Sequence, residues 1–266
     1  MSGEASRKGC REMIDSTARV SPKAKLGQGV TVGAFTIIES HVKIGENTCI
    51  GPHCWIDWAD IGRENRIYQG VVIGTPPQDL KYDGRESLCR IGDGNTIREY
   101  VTVHRASGTE GETQIGNSSY LMAYSHIAHN CLIGDGVILA NAANLAGYVQ
   151  VEDGAVVSGL VPVHQFVKIG CYSIIGGGFR VPKDVVPYAL AGGYPIRIQG
   201  LNTVGLRRHN FTLETRRMLK LAYRYLFRSN LNTGQALAKI ENELPFLQEI
   251  DHLVKFIQTS RRGIIK

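Results

Sequence analysis

The sequence predicts a parallel β-helix followed by a small α-helical domain. Three observations carry that prediction. Aliphatic residues recur at every sixth position through most of the chain, glycine often follows them, and after Val181 the period changes to that of helices.

Residues 1 to 12 are polar and patternless and read as a disordered arm before Met13. From Ile14 to Val181, 26 grid positions are all Ile, Leu or Val, types that supply 66 of 266 residues, so chance does not explain the pattern. One step is five residues long, from Ile56 to Ile61. Each hexapeptide is expected to form one short strand and one turn, with the aliphatic side chain pointing inward. Three hexapeptides make a coil, and stacked coils bury a continuous aliphatic column. The β-helix is placed at 13–190. The grid is interrupted at PPQDLKYDGRESLCR and HRASGTEGETQ, which predict loops over 76–90 and 104–114, after which it resumes in phase.

Prolines at 182, 187 and 195 with Gly192-Gly193 mark a boundary, and 191–266 reads as a helical domain. Met218, Leu221, Ala222, Tyr225 and Leu226 form one stripe. Leu237, Ile240 and Leu244 form a second, and Leu247, Ile250, Leu253, Val254 and Ile257 a third. Thr212 is the expected N-cap, and Pro245 separates the last two helices.

The composition is that of a soluble globular protein, at 43% hydrophobic and 20% charged. No run reaches the ~18 apolar residues of a membrane span, so stable membrane insertion is not expected. The start has no apolar core of a secretory signal, and cytoplasm is the default location. Six cysteines show neither CxxC pairs nor metal-ligand spacing and read as reduced. The net charge of +6 is concentrated from Val186 onward, with 13 Lys+Arg against 5 Asp+Glu, which favours an anionic partner. Charge alone does not choose among nucleic acid, a nucleotide sugar and an acidic carrier protein.

Residues 18 apart should lie over one another on successive coils. His129, Gly147 and Gln165 then form one column, with His129 and Gly147 roughly 5 Å apart by sheet spacing. An imidazole beside a backbone N–H suits acyl transfer: the ring takes a proton from an attacking hydroxyl and the N–H stabilises the oxyanion. A thioester donor would remove the need for a nucleophilic Ser or Cys. His104, His126 and His164 lie nearby in the pattern, and His126 falls at a corner suited to holding substrate. Three competing readings remain open. They are a polar outer face on a non-enzymatic trimeric scaffold, a zinc site of the kind found in γ-carbonic-anhydrase-type β-helix hydratases, and acyl transfer by another hexapeptide enzyme. No acidic or cysteine-rich set completes a metal site here, and none is expected.

Five ordered segments carry a closer resemblance: PPQDLKY, VTVHR, HIAHNC, VHQF and GLRR. Over about Met13 to Lys266 the chain resembles the UDP-N-acetylglucosamine O-acyltransferases that begin lipid A synthesis. The resemblance implies a cytoplasmic homotrimer of left-handed β-helices with active sites in clefts between subunits. It also implies transfer of a 3-hydroxyacyl chain from acyl carrier protein to the glucosamine 3-hydroxyl, without a cofactor and without nucleic acid. By the resemblance His129 is the general base and Gly147 the oxyanion-hole donor. Gln78, Asp79, Lys81, His126, His164, Gln165, Asn202 and Arg208 contact substrate. Gly177 falls at the acyl-chain pocket, where it leaves room for a longer chain. The basic C-terminal segment, including Arg207, Arg208, Arg216, Arg217, Arg224 and Arg228, becomes a surface for the acidic carrier protein. The chain departs from the family at Asn130, where many members have Asp, and at Tyr148, where many have His. His209 and Val204 replace an Arg and a Glu. A 3-amino analogue of the sugar is therefore an alternative acceptor.

Overall fold

The computed structural model describes residues 14–108 and 111–266; the arm expected over 1–12 lies outside the described residues. The chain divides into two compact units, the first ending at Asn130 and the second running from Cys131 to Lys266. Among the described residues no helix is long and apolar enough to cross a membrane.

In the first unit each strand pairs in parallel with the strand three further along. Arg19–Val20 pairs with Ile37–Ile38, Lys25–Leu26 with Val42–Ile44, and Thr31–Val32 with Cys49–Ile50. This is the three-sided coil that the 18-residue repeat demands. From Val32 onward every grid position is under 5% exposed, whereas Ile14, Val20 and Leu26 are partly open to solvent. Burial of each such side chain contributes roughly 1.5–3 kcal/mol, so the column is the core.

The two excursions are inserted without loss of phase. Ile73 pairs with Val103 across 30 residues and Ile91 with Ile115 across 24, where an ordinary coil takes 18, as for Val20 with Ile38. The insertions thus add whole hexapeptides, and the aliphatic face is never turned outward. Their bounds are narrower than the sequence suggested. Strands Cys89–Ile91 and Thr113–Ile115 recruit the ends of both loops, because Cys89 and Thr113 are drawn into the ladder and fully buried.

The second unit repeats the coil, with Leu145 paired to Val163, Val151 to Ile169 and Val157 to Ile175. β-structure continues past residue 190. Ile174–Ile175 pairs in parallel with Ala189–Gly192, which pairs antiparallel with Arg197–Leu201. The Pro/Gly run that marks the end of the hexapeptides is therefore partly a hairpin, and helices begin only at Thr203. They are α1 (Thr203–Arg208), α2 (Leu213–Phe227), α3 (Thr233–Glu243) and α4 (Gln248–Gln258). Thr212 caps α2 by accepting from Thr215 N at 3.0 Å, and Pro245 lies between α3 and α4, both as the sequence indicated. Leu219, Ala222 and Leu226 of α2 and Ile250, Leu253 and Val254 of α4 are buried. Asp184 ties the chain end back to the coil. It is 1% exposed, and its carboxylate accepts from Lys168 N at 2.8 Å and from the Ser260 hydroxyl at 2.6 Å.

Turns follow a rule that the aliphatic period alone did not reveal. At most turns the residue three places after the grid position has positive φ. Examples are Phe35 (58°), Asn47 (57°), Tyr100 (58°), Tyr124 (62°), Asn130 (58°), Leu160 (58°) and Phe166 (65°). The left-handed conformation turns the chain within one residue and costs side-chain-bearing residues roughly 1–2 kcal/mol each.

Candidate active site

The machinery that can be described within the first unit is built where the two excursions leave the coil. Strand Val72–Thr75 carries a bulge at Gly74 (φ +77°), where an added Cβ would lie 1.6 Å from the Asp57 carbonyl oxygen, so only glycine fits. The buried Arg105 guanidinium donates to the Gly74 carbonyl at 3.1 Å and to the Tyr82 hydroxyl at 2.9 Å, and the Tyr82 hydroxyl donates to Arg85 O at 2.6 Å. The Ser87 hydroxyl donates to Ala106 O at 2.6 Å. These contacts hold both excursions against one another.

A chain of polar contacts then runs to His129. The Ser107 hydroxyl donates to Asp79 Oδ2 at 2.7 Å, and Ser107 N donates to Asn130 Oδ1 at 2.9 Å. The same Oδ1 lies 2.9 Å from His129 Nδ1. A backbone N–H can only donate, so the oxygen facing Ser107 is fixed as the acceptor. His129 Nδ1 must then carry the proton, which leaves Nε2 with the lone pair of a base. Asn130 is suited to this position in a second way. It occupies the left-handed turn, which asparagine tolerates better than most residues, and its own N–H donates to Thr113 Oγ1 at 2.9 Å.

Two further histidines flank this group. The rings of His104 and His126 meet edge to face with centroids 5.0 Å apart, and His126 Nδ1 lies 2.7 Å from Thr102 Oγ1. Burial pushes the His104 imidazolium down to about 4, reinforced by the neighbouring His126 and His129. Burial, then His129, also lowers the pKa of His126. Both are therefore neutral near pH 7. The corner expected for His126 is not where it sits. It is the first residue of strand His126–Ile127, paired with Thr102, because the strand starts one residue before the grid position.

The other residues singled out in the first unit lie on the 76–88 excursion. Gln78 and Lys81 are exposed. Asp79 is half-buried, and its carboxyl is held below the usual range by the Lys81 N–H, then by the Ser107 hydroxyl. Asp79 thus faces the network that orients His129.

In the second unit Gly147 is buried. The neighbouring Ala146 N donates to Val163 O at 3.1 Å and the Gly147 carbonyl accepts from Phe166 N at 3.1 Å, while the Gly147 N–H reaches no acceptor among the described residues. His164 is half-buried and Gln165 exposed, with His164 Nδ1 donating to Gln165 O at 3.1 Å. Asn202 is the N-cap of α1. Its Oδ1 accepts from Gly205 N at 3.0 Å and its amide donates to Tyr172 O at 2.9 Å. Arg208 ends α1 and is exposed. Gly177 is exposed, and a Cβ there would lie 3.2 Å from Gly159 O. Sequence reasoning did not find Thr102, Ser107 or Tyr82, whose roles depend on how the excursions fold back. The position of Ser107 next to a grid break was the one available signal.

The chain is similar to known proteins over nearly its full length. Residues 184–265 match the family described as UDP N-acetylglucosamine O-acyltransferase, domain 2, and residues 23–57 and 112–147 match the bacterial transferase hexapeptide (six repeats) family. The acyl-[acyl-carrier-protein]–UDP-N-acetylglucosamine O-acyltransferase of Thermodesulfovibrio yellowstonii is 48% identical over 255 residues, covering 95% of this chain and 99% of that protein. Its counterpart in Syntrophobacter fumaroxidans is 46% identical with the same coverage. The crystal structure of a UDP-N-acetylglucosamine acyltransferase from Bacteroides fragilis superposes with a TM-score of 0.93 at 41% identity, covering 96% of this chain and all of that one. The architecture shared with these relatives is a left-handed parallel β-helix with a C-terminal helical domain.

Proposed function

The chain belongs to the acyl-[acyl-carrier-protein]–UDP-N-acetylglucosamine O-acyltransferase family, and from that premise we propose that it moves a 3-hydroxyacyl chain from acyl carrier protein to the glucosamine 3-hydroxyl of UDP-N-acetylglucosamine, with His129 as general base. The protein is an acyltransferase, and its relatives support acyl transfer from acyl carrier protein to UDP-N-acetylglucosamine in lipid A synthesis. The observation that carries the finer reading is the fixed tautomer of His129. Asn130 Oδ1, which accepts from the Ser107 N–H, also accepts from the His129 Nδ1–H and so leaves the lone pair on Nε2.

In this reading Nε2 removes the proton of the sugar hydroxyl as its oxygen attacks the thioester carbonyl. The Gly147 N–H, which has no acceptor among the described residues, donates to the developing oxyanion. Collapse of that intermediate breaks the C–S bond, and the imidazolium returns its proton to the departing thiolate. His126, with Gln78 and Lys81 on the exposed excursion, and His164, Gln165, Asn202 and Arg208 hold the two substrates. Asp79 acts partly through Ser107. Gly177, lacking a side chain, leaves the acyl pocket long. We also propose a homotrimer working in the cytoplasm, with no cofactor. The basic C-terminal helices receive the acidic carrier protein.

Purified protein incubated with 3-hydroxyacyl carrier protein and UDP-N-acetylglucosamine should yield a mono-acylated sugar nucleotide by mass spectrometry; absence of product removes the proposal. His129→Ala should lower turnover by roughly 10²- to 10⁴-fold while sedimentation still reports a trimer. One observation favours a second acceptor: Asn130 supplies an acceptor oxygen without a carboxylate's charge. An amine needs less help from a base, so the 3-amino analogue belongs in the same assay.

A further inference from the structure

Outside the acyl-transfer machinery, one group of side chains has the composition of a metal site. Glu152 follows strand Gln150–Val151, Cys171 follows strand Lys168–Ile169 one coil later, and His252 lies in α4. One donor atom from each comes within 4.8 Å of the other two. His252 Nε2 and Glu152 Oε2 are 2.8 Å apart, across 100 residues of sequence. All three residues are half-buried, with the side chains of His252 and Glu152 41% and 32% exposed, so an ion and a completing water have a way in.

We propose that Glu152, Cys171 and His252 bind one zinc-like divalent transition ion that clamps α4 to the coil. A thiolate, an imidazole and a carboxylate are all zinc ligands, and three of them with a water complete a tetrahedron. Bond lengths of roughly 2.0–2.3 Å place neighbouring ligand atoms roughly 3.3–3.8 Å apart. The present spread is therefore within about one side-chain adjustment of coordination. Two of the three donors stand on adjacent turns whose backbone the ladder already fixes, as Glu152 N donates to Ile169 O at 2.9 Å. An outer partner is also in place: Cys171 N donates to Glu152 Oε2 at 2.8 Å. The alternative is an ion pair in which protonated His252 bridges Glu152 and Cys171. A proton and a metal compete for the same ring nitrogen, so the two readings make opposite predictions when metal is offered.

Chelator-treated full-length protein should be titrated with Co²⁺ and followed by absorption. The expected result is one equivalent bound with thiolate-to-cobalt charge transfer and tetrahedral ligand-field bands, both abolished when Zn²⁺ is added. Cys171→Ser should remove the charge-transfer band. His252→Gln should weaken binding by more than the 10- to 100-fold typical of losing an outer-shell partner. Cys49→Ser should leave both unchanged. Zn²⁺ should raise the melting temperature of the unaltered protein but not of Cys171→Ser. A lack of charge transfer in the unaltered protein, which requires no variant to fold, overturns the proposal. So does a band that survives Cys171→Ser, or binding that His252→Gln leaves intact.

Discussion

Asn130 concentrates three demands on one side chain. It occupies a left-handed turn, accepts the Ser107 N–H and holds the His129 ring. Removing the acceptor while keeping the volume, as in Asn130→Leu, frees Nδ1–H and lets the ring populate both tautomers. We expect kcat to fall more than KM rises, by a factor between about 10 and the roughly 10⁴ that bounds a general base, as steady-state kinetics would reveal. Asn130→Asp keeps both hydrogen bonds and adds charge. A carboxylate favours the imidazolium, so the rising limb of the pH–rate profile should move to higher pH. A pH profile identical to that of the unaltered protein would contradict the assigned contact. His104 makes a separate prediction. Its pKa is near 4 in the folded protein and about 6.5 when unfolded, so between those values the unfolded chain binds more protons. Stability should therefore fall as pH drops from 6.5 towards 4 and not depend on His104 above that window. Denaturant midpoints at pH 7 and 5 should differ less in His104→Gln. His129 was visible from its place in the repeat and from HIAHNC. Its tautomer was not, because that depends on Ser107, which approaches only when the second excursion folds back.

At the scale of elements, the excursions behave as braced inserts rather than loose loops. Arg105 reaches both the Gly74 carbonyl and the Tyr82 hydroxyl. Tyr82→Phe removes one end of that brace and the bond to Arg85 O. The 76–88 segment should then be cut several-fold faster in limited proteolysis, and KM should rise, with His129 chemistry little changed. Sequence located both inserts from the breaks at 79, 85 and 109, because polar residues cannot occupy the aliphatic column. It set their edges too wide, since Cys89 and Thr113 enter strands without being grid residues. The hairpin Ala189–Leu201 was also missed as β-structure: prolines and glycines mark both the end of a repeat and a tight reversal, and composition does not separate the two.

Over the whole molecule, stability rests on the aliphatic residues buried inside the coils of each unit. Leu139 is fully buried. Leu139→Ala should cost about 2–5 kcal/mol, measurable by denaturant titration, with a smaller loss for Leu26→Ala, which is partly exposed. The fold class was legible because one physical requirement recurs 26 times. The interactions that position substrates recur nowhere, which is why they needed coordinates or a family resemblance to be found.

The left-handed residue that closes most turns has a practical consequence for engineering. It marks one register of the sequence where the backbone is constrained, and where the side chain there is exposed it can be rewritten without touching core or chemistry. Leu160, 70% exposed with φ 58°, is such a place. Exchanging it for Asn or Gly relieves conformational strain and removes an apolar surface group together. A thermostabilised version of this enzyme could be sought in a library confined to that register, with Asn130 left as it is.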